Sequence, residues 1–377
     1  MRAFVFTDAS LTRHAGQFVW LSINSEKAGN AAFLQKVPVE ALPSFFVLDS
    51  SGKVLLKWVG GATVEQVGKI LDDGRRAAAG RERGVDELLA RADRLAGENK
   101  SAEAAAAYRE VLAKAPPGWP GSTRALESML YALQRSKSYR PCAETARQAY
   151  PKLKATSSSA NVAATGLDCA LSLPENDPAR ADLVTTLTAD CREVVATRRP
   201  DVAADDISST YLTLAEERTE AKDEAGRRQA FSDLALYLEE QAAAAKTPAG
   251  RAVFDSHRLT AYVRLSEPER AIPMLTASER DFPDDYNPPA RLAYAYLAMK
   301  RWDDAVAASD RALARAYGPR RILILTQRSD IYAGKGDPAS ARKALEQALA
   351  EAEAFPPGQR SENQIAGLKK RLAALGS

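Results

Sequence analysis

Residues 42–61 read LPSFFVLDSSGKVLLKWVGG, and this stretch decides how the first part of the chain folds. It combines an apolar-proline step, an apolar run, a Ser-Gly turn, a second apolar run and a double glycine. Aromatic and β-branched residues favour strands, and glycine supplies the positive φ that a tight turn needs. We therefore predict a β-hairpin with its turn at residues 49–52.

The hairpin lies within a segment, residues 1 to about 80, in which helix and strand signals alternate. A short helix is predicted from Asp8 to Ala15, and a buried strand over residues 18–23 (FVWLSI). A second short helix is predicted over residues 29–36, and Thr63 is expected to cap a longer one. This order of elements is typical of an α/β domain.

In order and spacing, the segment resembles the disulfide-reductase branch of thioredoxin-like domains. In that family a cis-proline forms the wall against which the extended backbone of a substrate docks. The resemblance assigns this peptide-binding role to Leu42, Pro43 and Ser44, and it implies that residues 1–6 are the end of the active-site helix. The expected fold of this part is a partial thioredoxin-like domain, an α/β remnant.

The Cys-x-x-Cys pair of that family is absent from the sequence. By the resemblance, the pair and the central strand that leads into it would precede Met1. Without that strand, two apolar strands would keep unsatisfied edges. Either the strand lies upstream in a longer gene product, or the remnant has rearranged; we favour the first.

The three cysteines of the chain are Cys142, Cys169 and Cys191, with spacings typical of neither a redox pair nor a zinc site. Burial as small apolar residues is the favoured interpretation for all three. Cys142 lies in the first turn of a predicted helix, where the helix dipole lowers a thiol pKa. A bridge from Cys169 to Cys191 is the alternative if the protein is exported.

From residue 81 to residue 377 the strand-like runs disappear. Alanine-rich segments of helix length alternate there with short Pro, Gly, Asp or Asn breaks. The phasing predicts an all-helical array of about seven helix pairs with a C-terminal capping helix over residues 362–375. We therefore predict two domains, residues 1–80 and residues 81–377.

Three of the pairs resemble tetratricopeptide repeats, and the last two share an offset of 36 residues, from Tyr296 to Tyr332 and from Ala305 to Ala341. Residues 120–285 depart from the motif. The resemblance implies a solenoid whose first helices line a concave peptide-binding face. The positions that it assigns to this face are Leu89, Asp93, Asn287, Tyr294, Thr326 and Asp330. The alternative that stays open is that these side chains are simply exposed to solvent and bind no ligand.

Composition narrows the function further. The chain is 45% hydrophobic and 27% charged, with a net charge of +3 spread along its length, so no one-sided basic stripe predicts nucleic-acid binding. No apolar run approaches the ~20 residues of a membrane helix. The two histidines have no metal-ligand spacing, and no phosphate-loop, dinucleotide or hydrolase motif occurs. We predict no cofactor, no metal and no membrane insertion.

Two functions fit these features. The first is a protein-interaction scaffold that binds a peptide or protein partner and carries a redox-inactive thioredoxin-like segment. The second is a truncated thiol-disulfide oxidoreductase whose dithiol lies upstream of Met1. We choose the scaffold because thiol exchange needs a thiolate beside Pro43 and the chain encodes none. Enzymatic activity, oligomeric state and compartment stay open: the chain as given is cytoplasmic, or exported if an upstream signal exists.

Overall fold

The computed structural model describes residues 5–39, 41–80 and 83–375. Residues 1–4, on which most of the expected end of an active-site helix falls, lie outside this range. By their contacts the residues form two compact units. Unit 1 comprises Met1–Val19 and Val39–Asp233, and unit 2 comprises Trp20–Pro38 and Leu234–Ser377.

The described residues are mostly helical, with one two-stranded sheet. In chain order the strands and α-helices are α1 (Ala31–Lys36), β1 (Ser44–Leu48), β2 (Val54–Val59), α2 (Val64–Ala78), α3 (Val85–Gly97), α4 (Ser101–Lys114), α5 (Ser122–Arg135), α6 (Tyr139–Leu153), α7 (Ser159–Leu171), α8 (Arg180–Thr197), α9 (Ala204–Glu220), α10 (Glu224–Ala244), α11 (Pro248–Ala252), α12 (Asp255–Arg264), α13 (Ala271–Asp281), α14 (Asn287–Ala298), α15 (Trp302–Arg315), α16 (Arg320–Lys335), α17 (Pro338–Glu353) and α18 (Glu362–Ala374). Three short 3-10 helices add to these, at Ala9–His14, Ala28–Asn30 and Pro268–Arg270.

The hairpin predicted from residues 42–61 is confirmed. Strands β1 and β2 pair antiparallel, with Ser44 opposite Val59 and Phe45 opposite Trp58. Gly52 closes the turn with a φ of +82°. The apolar side chains of the hairpin form a hydrophobic core with α2 and the first 3-10 helix. The buried residues of this core are Leu11, Val47, Leu56, Trp58, Ala62, Val67, Ile70 and Leu71.

The helix start predicted at Thr63 is also confirmed, and it shows a full capping box. The Thr63 hydroxyl accepts from the Gln66 backbone N–H at 3.2 Å, and the Gln66 side chain accepts from the Thr63 N–H at 2.8 Å. These two bonds satisfy backbone donors that the first turn of α2 would otherwise leave open. The helix then presents Val67, Ile70 and Leu71 to the hairpin core.

The strand predicted over residues 18–23 is wrong. This run has no regular secondary structure, and Val19 is 87% exposed. Strand propensity describes how a side chain fits a paired, half-buried surface, and in the described residues the sheet offers this run no partner. A complete thioredoxin-like sheet is therefore not seen, because β1 and β2 are the only strands of the described ranges.

The residues that follow this run pack within unit 2. Glu26 accepts hydrogen bonds from the Tyr286 hydroxyl at 2.6 and 2.7 Å and from Arg320 Nε at 3.0 Å. Asn24 donates to the Tyr317 hydroxyl at 2.8 Å. Gly318 lies so close to the Glu26 backbone that a Cβ there would collide with the Glu26 carbonyl oxygen. The helix predicted over residues 29–36 is shorter, since only α1 is α-helical.

Within each unit, helices that follow one another pack in pairs, as in a tetratricopeptide-like solenoid: α3 packs on α4 and α6 on α7 in unit 1, and α14 packs on α15 and α16 on α17 in unit 2. Alanines at the crossings, such as Ala104, Ala293, Ala305 and Ala341, are fully buried, which lets the helices approach closely. The predicted boundary at residue 80 falls just after α2, whereas the contact units divide the chain elsewhere. The division into domains 1–80 and 81–377 therefore stays a prediction.

A recurrent turn joins the two helices of most pairs. One residue with positive φ follows the first helix, and the next N–H bonds back to the carbonyl five residues earlier, which is the Schellman geometry. Lys100 N–H to Leu95 O and Arg301 N–H to Tyr296 O, at 3.0 and 2.9 Å, are two instances. The positive-φ residues are Asn99, Lys137, Lys222, Ser266, Lys300 and Gly336.

Candidate functional site

The residues predicted to form a docking wall lie at the start of β1. The Leu42–Pro43 peptide bond is cis, and both side chains are exposed. Ser44 is half-buried, and its hydroxyl donates to the Ala41 carbonyl at 2.6 Å. The Pro43 carbonyl accepts from the Gly60 N–H at 3.0 Å, which fixes the strand register. Their role in binding an extended peptide stays a prediction.

Two residues predicted on the accessible face of the repeats, Leu89 and Asp93, are instead buried in unit 1. Helix α3, which carries both, packs against β2. The approach is so close that a Cβ on Gly97 would lie 2.5 Å from a methyl of Val54. The hairpin thus covers the face of α3 that the resemblance assigned to a ligand, so these two residues are not part of a surface site.

Asp93 has a structural partner instead. Arg124 of α5 donates to its two carboxylate oxygens at 2.9 and 3.0 Å, and the Tyr108 hydroxyl donates to it at 2.7 Å. Arg124 also donates to Asp73 at 2.6 Å. Burial opposes the charge on Arg124, but the two carboxylates outweigh it, so the pKa of Arg124 is raised. The network satisfies its own charges and ties α2, α3 and α5 together.

The four other predicted positions lie on the first helices of two successive pairs of unit 2, α14 and α16. Tyr294 is 43% exposed, and Asp330 is exposed and pairs with Arg371. Asn287 and Thr326 are half-buried, and their side chains bond within the chain, to Asp285 at 2.7 Å and to the Ile322 carbonyl at 2.7 Å. Tyr294 and Asp330 are therefore accessible to a ligand. The side chains of Asn287 and Thr326 are instead half-buried and hydrogen-bonded within the chain.

Sequence reasoning missed Leu323, which is 50% exposed on α16. The offset of 36 residues that relates the two pairs maps Asn287 onto Leu323 and Tyr294 onto Asp330, so the signal was in the sequence. We call the set of Asn287, Tyr294, Leu323, Thr326 and Asp330 the repeat surface. It combines two large exposed apolar side chains with an exposed ion pair.

The cysteines pair differently from the predicted alternative. Cys142 of α6 and Cys169 of α7 form a disulfide with a Cα–Cα distance of 6.1 Å, and Cys191 is a buried free thiol. Burial raises the pKa of Cys191 well above its usual range. Cys169 therefore bridges to the helix before it and not to Cys191, while burial of all three side chains is confirmed.

Metal and membrane sites find no support within the described ranges. These residues contain no cluster of three or more His, Cys, Asp or Glu side chains that could hold a metal ion. None of the helices there has the length and apolar character needed to cross a membrane.

Comparison with known proteins gives a family for part of the chain. The tetratricopeptide repeat family model matches residues 286–354, which span α14 to α17. No curated protein matches the sequence. Among solved structures, a tetratricopeptide repeat protein from Parabacteroides merdae superposes with a TM-score of 0.45 and 10% identity, covering 78% of this chain and 99% of the other. The TPR2AB domain of yeast Sti1, in complex with pHSP90, gives a TM-score of 0.30 and 12% identity, covering 78% and 98%. The match to the family model identifies residues 286–354 as tetratricopeptide repeats.

Proposed function

We propose that the protein is an interaction scaffold and that the repeat surface binds a peptide segment of a partner protein. The observation that carries the proposal is the exposure of Tyr294 and Leu323 on the first helices of two adjacent repeats. In repeat register the two positions lie two helical turns apart on the same face, and large apolar side chains gathered on one face mark interaction sites more often than scattered ones do. Tyrosine suits such a site because its ring adds contact area while its hydroxyl stays hydrated.

The chemistry of the surface points to an amphipathic ligand. An apolar side chain of the ligand would pack against Tyr294 and Leu323. Polar groups beside it would meet the exposed ion pair of Asp330 and Arg371. A helical or extended segment with apolar anchors at regular spacing provides both kinds of contact.

A displayed library of random peptides tests this proposal. Peptides selected on the wild-type chain should bind the double variant Tyr294→Ala, Leu323→Ala at least about tenfold more weakly, because both anchors are lost. The matched control is Leu236→Ala with Val253→Ala, which removes two other exposed apolar side chains of unit 2. If the two double variants lose peptide affinity equally, or if no peptide is selected on the wild-type chain, the repeat surface is simply exposed to solvent and binds no peptide.

The oxidoreductase alternative does not enter the proposal. Thiol exchange needs an accessible thiolate, whereas Cys142 and Cys169 are bridged and Cys191 is a buried thiol. The partial thioredoxin-like character of the first segment likewise rests on one hairpin, a cis-proline and a following helix. A scaffold function needs none of that chemistry.

A further inference from the structure

We propose that the outer edge of β1 pairs with the same edge of a second copy of the chain, so that two hairpins form one continuous antiparallel sheet. The interface belongs to unit 1, whereas the repeat surface belongs to unit 2. In the described residues the sheet has two strands, and β1 has β2 as its neighbour on one side only. The other side of β1 is an edge to which a further strand can be added.

The hydrogen-bond pattern of the hairpin shows which groups of β1 face this edge. The Gly60 N–H donates to the Pro43 carbonyl at 3.0 Å, so Pro43 and Gly60 form a bonded pair of the ladder. Bonded and non-bonded pairs alternate in an antiparallel ladder, so Ser44, Phe46 and Leu48 direct their N–H and carbonyl groups away from β2. Within the described ranges, no other backbone segment bonds to these groups.

The edge of β1 carries none of the features that usually prevent edge pairing. A lysine, a proline within the strand or an inward-pointing charge normally serves this purpose. The strand reads SFFVL, which contains no charge and no proline. Four of its five residues are only partly buried, whereas four of the six residues of β2 are buried. The accessible and unprotected edge of this sheet is therefore that of β1.

The sequence of β1 is complementary to itself in the register that its outward groups require. A two-fold axis at Phe46 sets Phe46 opposite Phe46 of the second copy and Ser44 opposite Leu48 of that copy. Each of these pairs exchanges two backbone hydrogen bonds. The same register sets Phe45 opposite Val47, and aromatic residues facing aromatic or β-branched ones are favourable cross-strand pairs. A two-fold interface closes on itself, so the assembly stops at a dimer.

Exposed apolar side chains border β1 and favour a partner surface that is equally apolar. Leu42, just before the strand, is 68% exposed. Phe6 is 37% exposed and stacks on Phe45 with a distance of 5.9 Å between the ring centroids. Contact with the same apolar surface of a second copy removes such groups from water.

Sedimentation equilibrium of the full chain tests the proposal. We expect a reversible monomer–dimer equilibrium between about 1 and 100 μM. Phe46→Lys should weaken the dimer at least about tenfold, because it sets two like charges opposite each other at the two-fold axis. Leu236→Lys, at an exposed apolar residue of unit 2, is the control and should leave the equilibrium unchanged. A monomer at every concentration, or equal effects of the two variants, overturns the proposal.

Cysteine crosslinking tests the register and keeps the proposal falsifiable if Phe46→Lys fails to fold. Phe46→Cys should crosslink to itself through a short bismaleimide. Leu48→Cys should not, because in this register its two copies lie about 14 Å apart along the strands. A mixture of Ser44→Cys and Leu48→Cys should crosslink. The wild type gives the background, since its free thiol at Cys191 is buried.

The crosslinks also distinguish other occupants of the edge. If Leu21→Cys, in the run over residues 18–23, crosslinks to Phe46→Cys while Phe46→Cys does not crosslink to itself, the edge holds that run and the proposal is overturned. A dimer in which Phe46→Cys crosslinks no faster than Leu48→Cys overturns it as well, because the two copies then meet elsewhere.

Discussion

Asp93 on α3 and Arg124 on α5 face each other inside unit 1 and share two hydrogen bonds of 2.9 and 3.0 Å. Removing one partner of a buried ion pair lowers stability by more than the pair itself adds to it, because the remaining charge stays buried without a countercharge. We predict that Arg124→Met lowers the free energy of unfolding by about 3 to 5 kcal/mol. Urea denaturation followed by circular dichroism measures this.

The exposed pair of Lys114 and Glu110 provides the control for that experiment. Lys114→Met should cost less than about 1 kcal/mol, because solvent screens exposed ion pairs. Similar losses in the two variants would contradict the assignment of Arg124 as a buried structural charge.

Stability should fall as the pH rises from about 4 to 7, in part because of Glu127. Burial raises the pKa of Glu127 to about 7, and it raises the pKa of Asp206 to about 7 as well. Between the unfolded value of about 4.3 and the folded value, the folded chain holds a proton that the unfolded chain releases. Each such group therefore stabilises the fold below this window and loses that contribution through it.

Glu127→Gln should remove the part of this pH dependence that Glu127 contributes and leave the part that Asp206 contributes. The variant should match the wild type near pH 4 and exceed it at pH 8, by on the order of 3 to 4 kcal/mol. Urea midpoints across this pH range give the comparison, with Glu103→Gln as an exposed control. Parallel curves for wild type and Glu127→Gln would show that the carboxyl titrates normally.

Gly318→Ala should loosen the segment that carries Asn24 and Glu26. Gly318 has a φ of +59°, and a Cβ there would strike the Glu26 carbonyl oxygen, so both strain and collision result. Gly336 is the matched control, because its φ is +84° but nothing lies within 4 Å of its Cβ position. Hydrogen exchange of residues 24–36 should rise in Gly318→Ala and stay unchanged in Gly336→Ala. Equal exchange in the two variants would argue against the close contact.

The number of cysteine thiols that react with a thiol reagent should depend on unfolding and reduction. We expect no reaction of the native chain with an aromatic disulfide reagent, one thiol after unfolding without reductant, and three after reduction. Replacing Cys142 and Cys169 by alanine should cost about 2 to 4 kcal/mol, since the bridge restricts the unfolded chain. Three thiols in the unreduced protein would show that the bridge does not form.

The sequence predicted the elements whose signals are local. The hairpin over residues 42–61 and the cap at Thr63 depend on turn and capping residues a few positions apart, and both were found. The run over residues 18–23 failed because strand formation needs a partner, which local propensity does not supply. Burial of Leu89 and Asp93 was missed for the same reason, since it results from β2 packing on α3.

The turns that join two paired helices show a second limit of prediction from sequence. The positive-φ position is occupied by Asn99, Lys137, Lys222, Ser266, Lys300 or Gly336, so no residue type marks it. The backbone bond that closes each turn is formed by main-chain atoms and tolerates these side chains. Residues 120–285 depart from the repeat motif in sequence, yet the turns at Lys137, Lys222 and Ser266 keep the same closing bond. One more residue of the repeat surface could have been predicted, because the offset of 36 residues maps Asn287 onto Leu323.

The bonds from Glu26 to Tyr286 and Arg320 join residues 260 and 294 positions apart, and this spacing has a consequence for synthesis on the ribosome. At 5 to 20 residues per second, Glu26 emerges roughly 15 to 50 s before Tyr286 is made. During that interval its carboxylate and the apolar residues beside it lack these partners. Unit 2 can therefore close only after Tyr286 and Arg320 have been synthesised, and the nascent chain must keep this early segment available until then.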